Sequence, residues 1–173
     1  MENKDFYLIG YSTRPIADFI KILKAHSINF LIDIRTIPGS KYNPDFNAET
    51  LGKKLEKNKI KYFHFKELGG LRKPLKNSVN KGWINSSFRG FADYMQTEDF
   101  KNALRKLIKM NRGKKKIVLM CAEGNPFRCH RSLIADALFA KRFKSFEITG
   151  INSVREHKLT NFAKIKKGNV IYP

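Results

Sequence analysis

The chain has 173 residues, 42% of them hydrophobic and 14 of them phenylalanine, which suffices for one buried core and a single domain spanning 1–173. No apolar run approaches the ~20 residues of a membrane helix, residues 1–11 lack a secretory signal, and two cysteines are too few for a disulfide framework. A cytoplasmic protein with no membrane partner is therefore expected.

The charge is strongly basic, since 35 Lys and Arg face 15 Asp and Glu, for a net charge of +20. Such a field attracts polyanions, nucleic acid among them. A genome that favours lysine codons accounts for the same composition, so both explanations stay open.

The first part of the chain predicts strand, helix, strand. Residues 6–10 form a short apolar run, and Ser12 with Pro15 predicts the start of a helix. Apolar residues keep helical spacing from Ile16 to about Ala25. The continuous apolar run 28–34 then predicts a strand that is buried on both faces.

A long loop is predicted in the middle of the chain. Turn residues at 38–44, a basic amphipathic helix at 49–58 and a third strand at 60–65 come before it. Residues 66–90 then show no period and contain Gly, Pro, Asn and Ser, which predicts a lid-like loop. Its aromatic residues, among them Trp83, favour a packed segment over a mobile insertion.

Apolar residues return to helical spacing at 91–95 and at 100–108. A fourth strand is predicted at 116–121, a helix at 131–141 and a fifth strand at 146–148. Strands that alternate with helices predict right-handed crossovers. The fold predicted is a three-layer α/β fold of Rossmann-like or flavodoxin-like type, with about five mainly parallel strands and helices on both faces.

Ligands of such folds bind beyond the carboxyl ends of the strands. Four predicted strands deliver polar residues to that rim: Ser12, Thr13 and Arg14; Asp33 and Arg35; His64 and Lys66; Cys121 and Glu123. This density of polar groups predicts a binding or catalytic site there.

The turn between the fourth strand and the following helix is expected to carry the chemistry. Backbone N–H groups and the positive end of a helix dipole near Cys121 favour its thiolate. Arg128 and Arg131 would lower that pKa further or bind an anionic substrate, and Glu123 and His130 are candidates for proton transfer.

A cysteine at a strand end is equally often a small buried hydrophobe, so a structural Cys121 is the alternative. Cys129 is expected to be structural, at the start of a helix. Together with His64 and His130 the two cysteines are zinc-ligand types, but no Cys-x-x-Cys pair occurs. Neither a metal nor a cofactor is predicted.

The order strand, cysteine, loop, helix resembles rhodanese sulfurtransferases and cysteine phosphatases, and residues 31–35 resemble an early rhodanese strand motif. Six residues separate Cys121 from Arg128, whereas the phosphatases have five, and the loop is not glycine-rich. The resemblance implies rhodanese-like sulfur transfer by analogy alone.

Nearly the whole chain resembles the DUF488 family, which implies an α/β fold with an undefined activity. Tyr11 stands where histidine is usual in that family, and Lys158 where proline is common. The matching motifs are Ile9-Gly-Tyr-Ser-Thr13, Leu31-Ile-Asp-Ile-Arg35, Tyr42-Asn-Pro44, Phe46, His64, Leu68-Gly-Gly70, Arg72, Phe88-Arg-Gly-Phe-Ala-Asp-Tyr-Met95, Cys121-Ala-Glu123, Pro126, Cys129-His-Arg-Ser132, His157-Lys-Leu-Thr160 and Ile171-Tyr-Pro173.

The leading hypothesis is an enzyme with an anion-binding, cysteine-containing rim site, acting on a nucleic acid, a phosphorylated substrate or another small anion. Its predicted catalytic residues are Cys121, Glu123 and Asp33. Its predicted substrate-binding residues are Ser12, Thr13, Arg35, His64, Arg72, Arg89, Asp93, Arg128, His130 and Arg131. The alternatives are a non-catalytic nucleic-acid-binding protein, a sulfurtransferase, and a structural or regulatory module. The sequence leaves the oligomeric state open.

Overall fold

The structure is a computed structural model that describes residues 5–173. Within them the chain forms one central sheet, a small hairpin and five α-helices. In chain order the elements are β1 (Asp5–Gly10), α1 (Ile16–Ala25), β2 (Phe30–Asp33), α2 (Ala48–Lys57), β3 (Lys61–His64), α3 (Ser86–Tyr94), α4 (Glu98–Met110), β4 (Ile117–Cys121), α5 (Arg131–Ala140), β5 (Lys144–Gly150), β6 (Ser153–Glu156), β7 (Lys164–Lys166) and β8 (Asn169–Ile171).

The central sheet has six strands in the order β3-β2-β4-β1-β5-β6. The first five are parallel, and β6 runs antiparallel at the edge beside β5. Helices α1 and α2 cover one face, and α3, α4 and α5 cover the other. The predicted three-layer α/β fold with a mainly parallel sheet is confirmed.

Strand β4 shows why the sheet carries helices on both faces. All five of its residues are buried, because Ile117 and Leu119 pack under α3–α5 while Val118 and Met120 pack under α1 and α2. A continuous apolar run is what a parallel strand covered on both faces requires. The strand ends at Cys121, which places that sulfur at the carboxyl edge.

The sequence missed three strands. All four residues of β6 are exposed, and the hairpin β7–β8 has three-residue strands, so neither shows an apolar period. Strand β5 is also longer than predicted, running from Lys144 to Gly150.

The predicted start of the first helix at Ser12 is wrong. Helix α1 begins at Ile16, after Pro15 in an extended conformation, and Ser12 has a left-handed backbone with φ 49°. Residues 11 and 12 continue the main-chain hydrogen bonding of β1 instead, since their N–H groups donate to the carbonyls of Cys121 and Ala122.

The long segment before α3 is fixed to that helix by one buried carboxylate. Asp93 accepts hydrogen bonds from the Leu75 N–H, the Ser78 hydroxyl and the Asn80 amide. Asn80 is fully buried and in turn accepts from the N–H of Tyr172. Helix α3 starts at Ser86, where the Asn85 side chain caps it, so the irregular stretch ends before residue 90.

A second buried carboxylate holds the C-terminal residues. Asp136 of α5 accepts hydrogen bonds from His157, from the hydroxyl and N–H of Thr160, and from the Tyr172 hydroxyl. His157, Thr160 and Tyr172 of the C-terminal motifs are thus all bonded to one side chain of α5. Among residues 5–173, no helix combines the length and the apolar character needed to cross a bilayer.

Candidate active site

A cavity of about 300 Å³ opens at the carboxyl edge of the sheet, beyond β2 and β4. It lies between the turn after β4, the residues after β2 and the start of α3. Its lining residues are Arg35, Thr36, Gly70, Leu71, Ser87, Phe88, Phe91, Cys121, Ala122, Glu123, Arg128, Cys129 and His130.

Two unbridged cysteines lie at this cavity. The Sγ atoms of Cys121 and Cys129 are 2.8 Å apart, although the residues are eight positions apart in the chain. The turn brings them together, because β4 ends at one cysteine and α5 begins two residues after the other. Both are buried, with 3% and 5% of their surface exposed, so any ligand reaches them through the cavity.

The surroundings shift the pKa values of the two cysteines in opposite directions. Burial raises the pKa of Cys129, but hydrogen bonds from Cys121 and His130 and the positive charges of His130 and Arg131 outweigh it and bring that pKa well below its ordinary value. The pKa of Cys121 is raised well above its ordinary value, by burial first and then by its hydrogen bond to the Cys129 thiolate and the charge on it. Of the two cysteines, Cys129 is thus the one whose ionisation its surroundings favour.

The end of a helix favours ionisation of Cys129. Its Sγ accepts from the backbone N–H of Arg131 at 3.5 Å, at the start of α5, where the helix dipole is positive. The Sγ of Cys121 instead lies 2.7 Å from Nη1 of Arg131. The charge of that guanidinium is already paired with the Glu147 carboxylate. The sequence prediction gave the thiolate to Cys121 and a structural role to Cys129.

His130 is held with one ring nitrogen toward the sulfur. Its Nε2 lies 3.1 Å from the Ile34 carbonyl oxygen and 3.0 Å from that of Leu68. Because carbonyls only accept, Nε2 carries a proton and donates, which leaves Nδ1 as the ring nitrogen that faces the sulfur. Nδ1 lies 3.8 Å from the Cys129 Sγ, so it can take the thiol proton.

Arg131 is fully buried and uses every N–H group inside the protein. Its guanidinium donates to both carboxylate oxygens of Glu147, to the carbonyls of Glu123 and Gly124, and to the Cys121 Sγ. It therefore has no free donor for a substrate. Its role is to fix the turn and the Cys121 sulfur.

The predicted pair Asp33 and Arg35 forms a similar closed network. Arg35 donates to both carboxylate oxygens of Asp33, to the Tyr11 hydroxyl and to the Phe46 carbonyl, and the Tyr62 hydroxyl donates to Asp33. Asp33 is fully buried and does not line the cavity, so it is not placed to exchange a proton with a ligand bound there.

Two exposed charges of the predicted set stand at the cavity. The Arg128 side chain is exposed, and so is Glu123, whose carboxylate accepts from the Asn125 N–H at 3.0 Å. Arg128 is the cation at this opening that a bound anion can reach.

The other predicted residues lie away from the cavity lining. Ser12 and Thr13 are exposed beyond β1, and the Nε2 atom of His64 lies 2.7 Å from the Arg35 carbonyl oxygen. The Arg72 guanidinium lies over the Tyr94 ring, and Arg89 donates to the Trp83 carbonyl. Asp93 is buried in its own hydrogen-bond network. Of the predicted site residues, those that line the cavity are Arg35, Cys121, Glu123, Arg128 and His130.

Sequence reasoning gave Cys129 no role beyond packing, and it missed Glu147 as the partner of Arg131. For Cys129 a signal was available, since a Cys-His pair directly before a predicted helix has both a base and a helix dipole. For Glu147 the sequence offered no signal, because nothing near it in the chain shows that a strand carboxylate pairs with an arginine sixteen positions earlier. Within residues 5–173, no three His, Cys, Asp or Glu side chains converge as metal ligands.

Gly10 permits the tight packing beneath the cysteines. A Cβ atom there would overlap the carbonyl of Glu123 and lie 3.1 Å from the Arg131 guanidinium. The turn can therefore rest on the end of β1 only because residue 10 has no side chain.

The fold and the site define an α/β protein with a buried cysteine pair in a cavity at the carboxyl edge of its sheet. The family model described as "Domain of unknown function DUF488" matches residues 15–138, and the chain belongs to this family. No curated protein matches the chain, and no solved structure does.

Proposed function

We propose that this protein is a thiol-dependent enzyme in which Cys129 is the nucleophile and His130 its proton partner, acting on a small anionic substrate bound in the cavity. The observation that carries the proposal is the Cys129–His130 pair at the start of α5, where the pKa of Cys129 is well below its ordinary value. A thiolate next to a histidine is the arrangement that nucleophilic cysteine catalysis uses.

The direction of proton transfer supports this assignment. Nε2 of His130 is committed to two carbonyls, so the ring exchanges a proton with Cys129 through Nδ1 alone. The ring also packs on Phe91, with 4.9 Å between ring centroids, which keeps it in this orientation. A fixed base beside a buried thiol avoids reorganisation during the reaction.

The charges at the opening support an anionic substrate. Arg128 is exposed there, whereas the guanidinium groups of Arg35 and Arg131 are held inside by Asp33 and Glu147. The proposed division is that Arg128 binds the anion and Cys129 attacks. Glu123 faces the same opening and repels negative charge, so the proposed place for the anion is the Arg128 side of the opening.

The test is the pH dependence of iodoacetamide alkylation in the native protein. Cys121→Ser should be alkylated on Cys129 with a half-maximal rate at a pH below the ~8.5 of an ordinary thiol. His130→Gln in the same background should move that midpoint upward. His64→Gln is the matched control, because its ring contacts a carbonyl and not a sulfur.

The anion site is tested by protection. Phosphate should slow the alkylation of Cys129, and Arg128→Gln should abolish that protection. Arg89→Gln should leave it unchanged, because Arg89 is bonded to the Trp83 carbonyl outside the cavity. A Cys129 midpoint at or above that of a free thiol would refute the proposed nucleophile.

A second function, nucleic-acid binding, is favoured by where the charges lie. Among residues 5–173 four acidic side chains are buried, Asp33, Asp93, Asp136 and Glu147, against two basic ones, Arg35 and Arg131. The surface is thus at least as basic as the net charge of +20 indicates. Affinity for a fluorescent RNA or DNA should then fall steeply with salt. No binding at low salt would remove this function.

A further inference from the structure

We propose that Cys121 is the resolving thiol for Cys129, so that the pair reduces the sulfur–sulfur bond of a small anionic disulfide. This inference rests on the proposed function, because it takes Cys129 as the attacking atom. It adds a role for the second cysteine and a substrate class for the cavity.

The distance between the sulfurs supports a direct bond between them. The two Sγ atoms are 2.8 Å apart, and a disulfide bond is ~2.05 Å long, so each sulfur needs to move by less than about 0.5 Å. Because Arg131 and Gly10 hold the turn between the cysteines, this movement falls mainly to rotation of the two cysteine side chains.

The reaction balances with the substrate as the oxidant. The Cys129 thiolate attacks one substrate sulfur, forming a mixed disulfide and releasing the other half as a thiolate. Cys121 then passes its proton to the released thiolate and attacks the Cys129 Sγ, which expels the second half as a thiolate that takes its proton from His130. Two electrons pass from the cysteine pair to the substrate, and two thiols leave. An external dithiol returns the pair to its reduced form.

Arg131 suits the second step. Its guanidinium donates to the Cys121 Sγ at 2.7 Å and is fixed by Glu147 behind it. A positive charge at this distance stabilises the Cys121 thiolate that must form once Cys129 is no longer charged. Arg131 thus acts on both sulfurs, while His130 and the helix end act on Cys129.

The cavity limits the substrate. A volume of about 300 Å³ admits a small molecule, and the exposed Arg128 at the opening favours a carboxylate-bearing one. Two compounds of similar length test this, 3,3′-dithiodipropionate with two carboxylates and cystamine with two ammonium groups. We expect the dianion to react at least about tenfold faster.

The experiment follows protein mass and released thiol with the full chain. The wild-type protein should lose two hydrogen masses, lose both free thiols and release two equivalents of 3-mercaptopropionate. Cys121→Ser should stop at a mixed disulfide on Cys129. Cys129→Ser should react no faster than an ordinary buried thiol, and circular dichroism should show that each variant is folded.

The outcomes separate the two proposals. A wild-type protein that keeps the mixed disulfide, without forming the internal bond, overturns the resolving role and leaves Cys129 as nucleophile. Adducts on Cys121 in Cys129→Ser, with no adduct in Cys121→Ser, overturn the proposed nucleophile itself. Equal rates with both compounds, or oxidation of the pair by hydrogen peroxide but by neither disulfide, overturn the substrate class.

Discussion

Arg131 and Glu147 meet inside the protein through two hydrogen bonds, from Nε to Oε2 at 3.2 Å and from Nη2 to Oε1 at 2.6 Å. The pair joins the first residue of α5 to the middle of β5, and burial leaves 0% of the arginine side chain and 7% of the glutamate side chain exposed. Its remaining donors hold the turn that carries the cysteines, so the position of Cys121 depends on a contact made far from it in sequence.

Glu147→Gln should therefore destabilise the protein by about 3–5 kcal/mol, because it leaves a buried guanidinium without its counter-charge. Urea unfolding measures this loss. Glu49→Gln is the control, since Glu49 pairs with Lys53 on the surface of α2 and its loss should leave the urea midpoint unchanged. Equal effects of the two substitutions would contradict the structural role of the buried pair.

The cysteine pair predicts a maximum in stability against pH. The pKa of Cys129 is lowered by folding, so its contribution exists above the unfolded value of ~8.5 and is lost as pH falls through the folded pKa. The pKa of Cys121 is raised, so its contribution exists below ~8.5 and is lost as pH rises through the folded pKa. The two contributions overlap most near pH ~8.5.

The measurement is the unfolding free energy of the wild type minus that of Cys121→Ser Cys129→Ser, between pH 6 and 10 under reducing conditions. The difference should rise toward pH ~8.5, with a slope of up to about 1.4 kcal/mol per pH unit, and fall beyond it. A difference that does not vary with pH would mean that neither thiol has a shifted pKa in the folded protein.

Asp33 should behave as a structural residue. Asp33→Asn leaves the buried guanidinium of Arg35 without its charge partner, so we expect a loss of about 3–5 kcal/mol in unfolding free energy. Tyr62→Phe removes one hydrogen bond to the same carboxylate at a half-buried position and should cost about 1 kcal/mol. The alkylation profile of Cys129 should be unchanged in Tyr62→Phe, and a shifted profile would show that this network reaches the cysteines.

The local sequence pattern was enough to locate the central strands, but it did not reveal the edge strand β6. Strands β2 and β4 are continuous apolar runs because both faces of a parallel sheet are covered, so composition alone locates them. Strand β6 has four exposed residues and is defined by its hydrogen bonds to β5, which no period in the sequence reports.

The position of the rim residues was easier to predict from the sequence than the contacts that each side chain makes. The carboxyl ends of β2 and β4 follow from the fold, and Arg35 and Cys121, which follow or end those strands, both line the cavity. Whether an arginine faces a ligand or the interior depends on a partner supplied by another element, such as Glu147 for Arg131 or Asp33 for Arg35. Arg128 differs from Arg35 and Arg131 in that its side chain is exposed. That difference arises from how the elements pack, so the sequence alone did not show it.

The contact between α3 and the preceding loop gives a last prediction, with a matched control on another helix. A Cβ atom on Gly90 would overlap the carbonyl of Arg72, where the segment before α3 crosses the helix. Gly90→Ala must therefore push the segment and helix apart, which we expect to cost about 1–3 kcal/mol. Gly52 of α2 has room, because its added Cβ would meet Tyr62 at 3.6 Å, an ordinary contact.

Gly52→Ala should therefore raise the unfolding free energy by about 0.5–1 kcal/mol, since alanine favours a helix interior over glycine. Urea unfolding of both variants gives the comparison, and opposite signs are expected from the same chemical change. The cavity adds a second readout, because Leu71, next to Arg72, lines it. Displacement of that segment in Gly90→Ala should raise the alkylation rate of Cys129, whereas Gly52→Ala should leave it unchanged. A stabilised Gly90→Ala protein with unchanged Cys129 reactivity would show that the loop does not rest on α3 at this glycine.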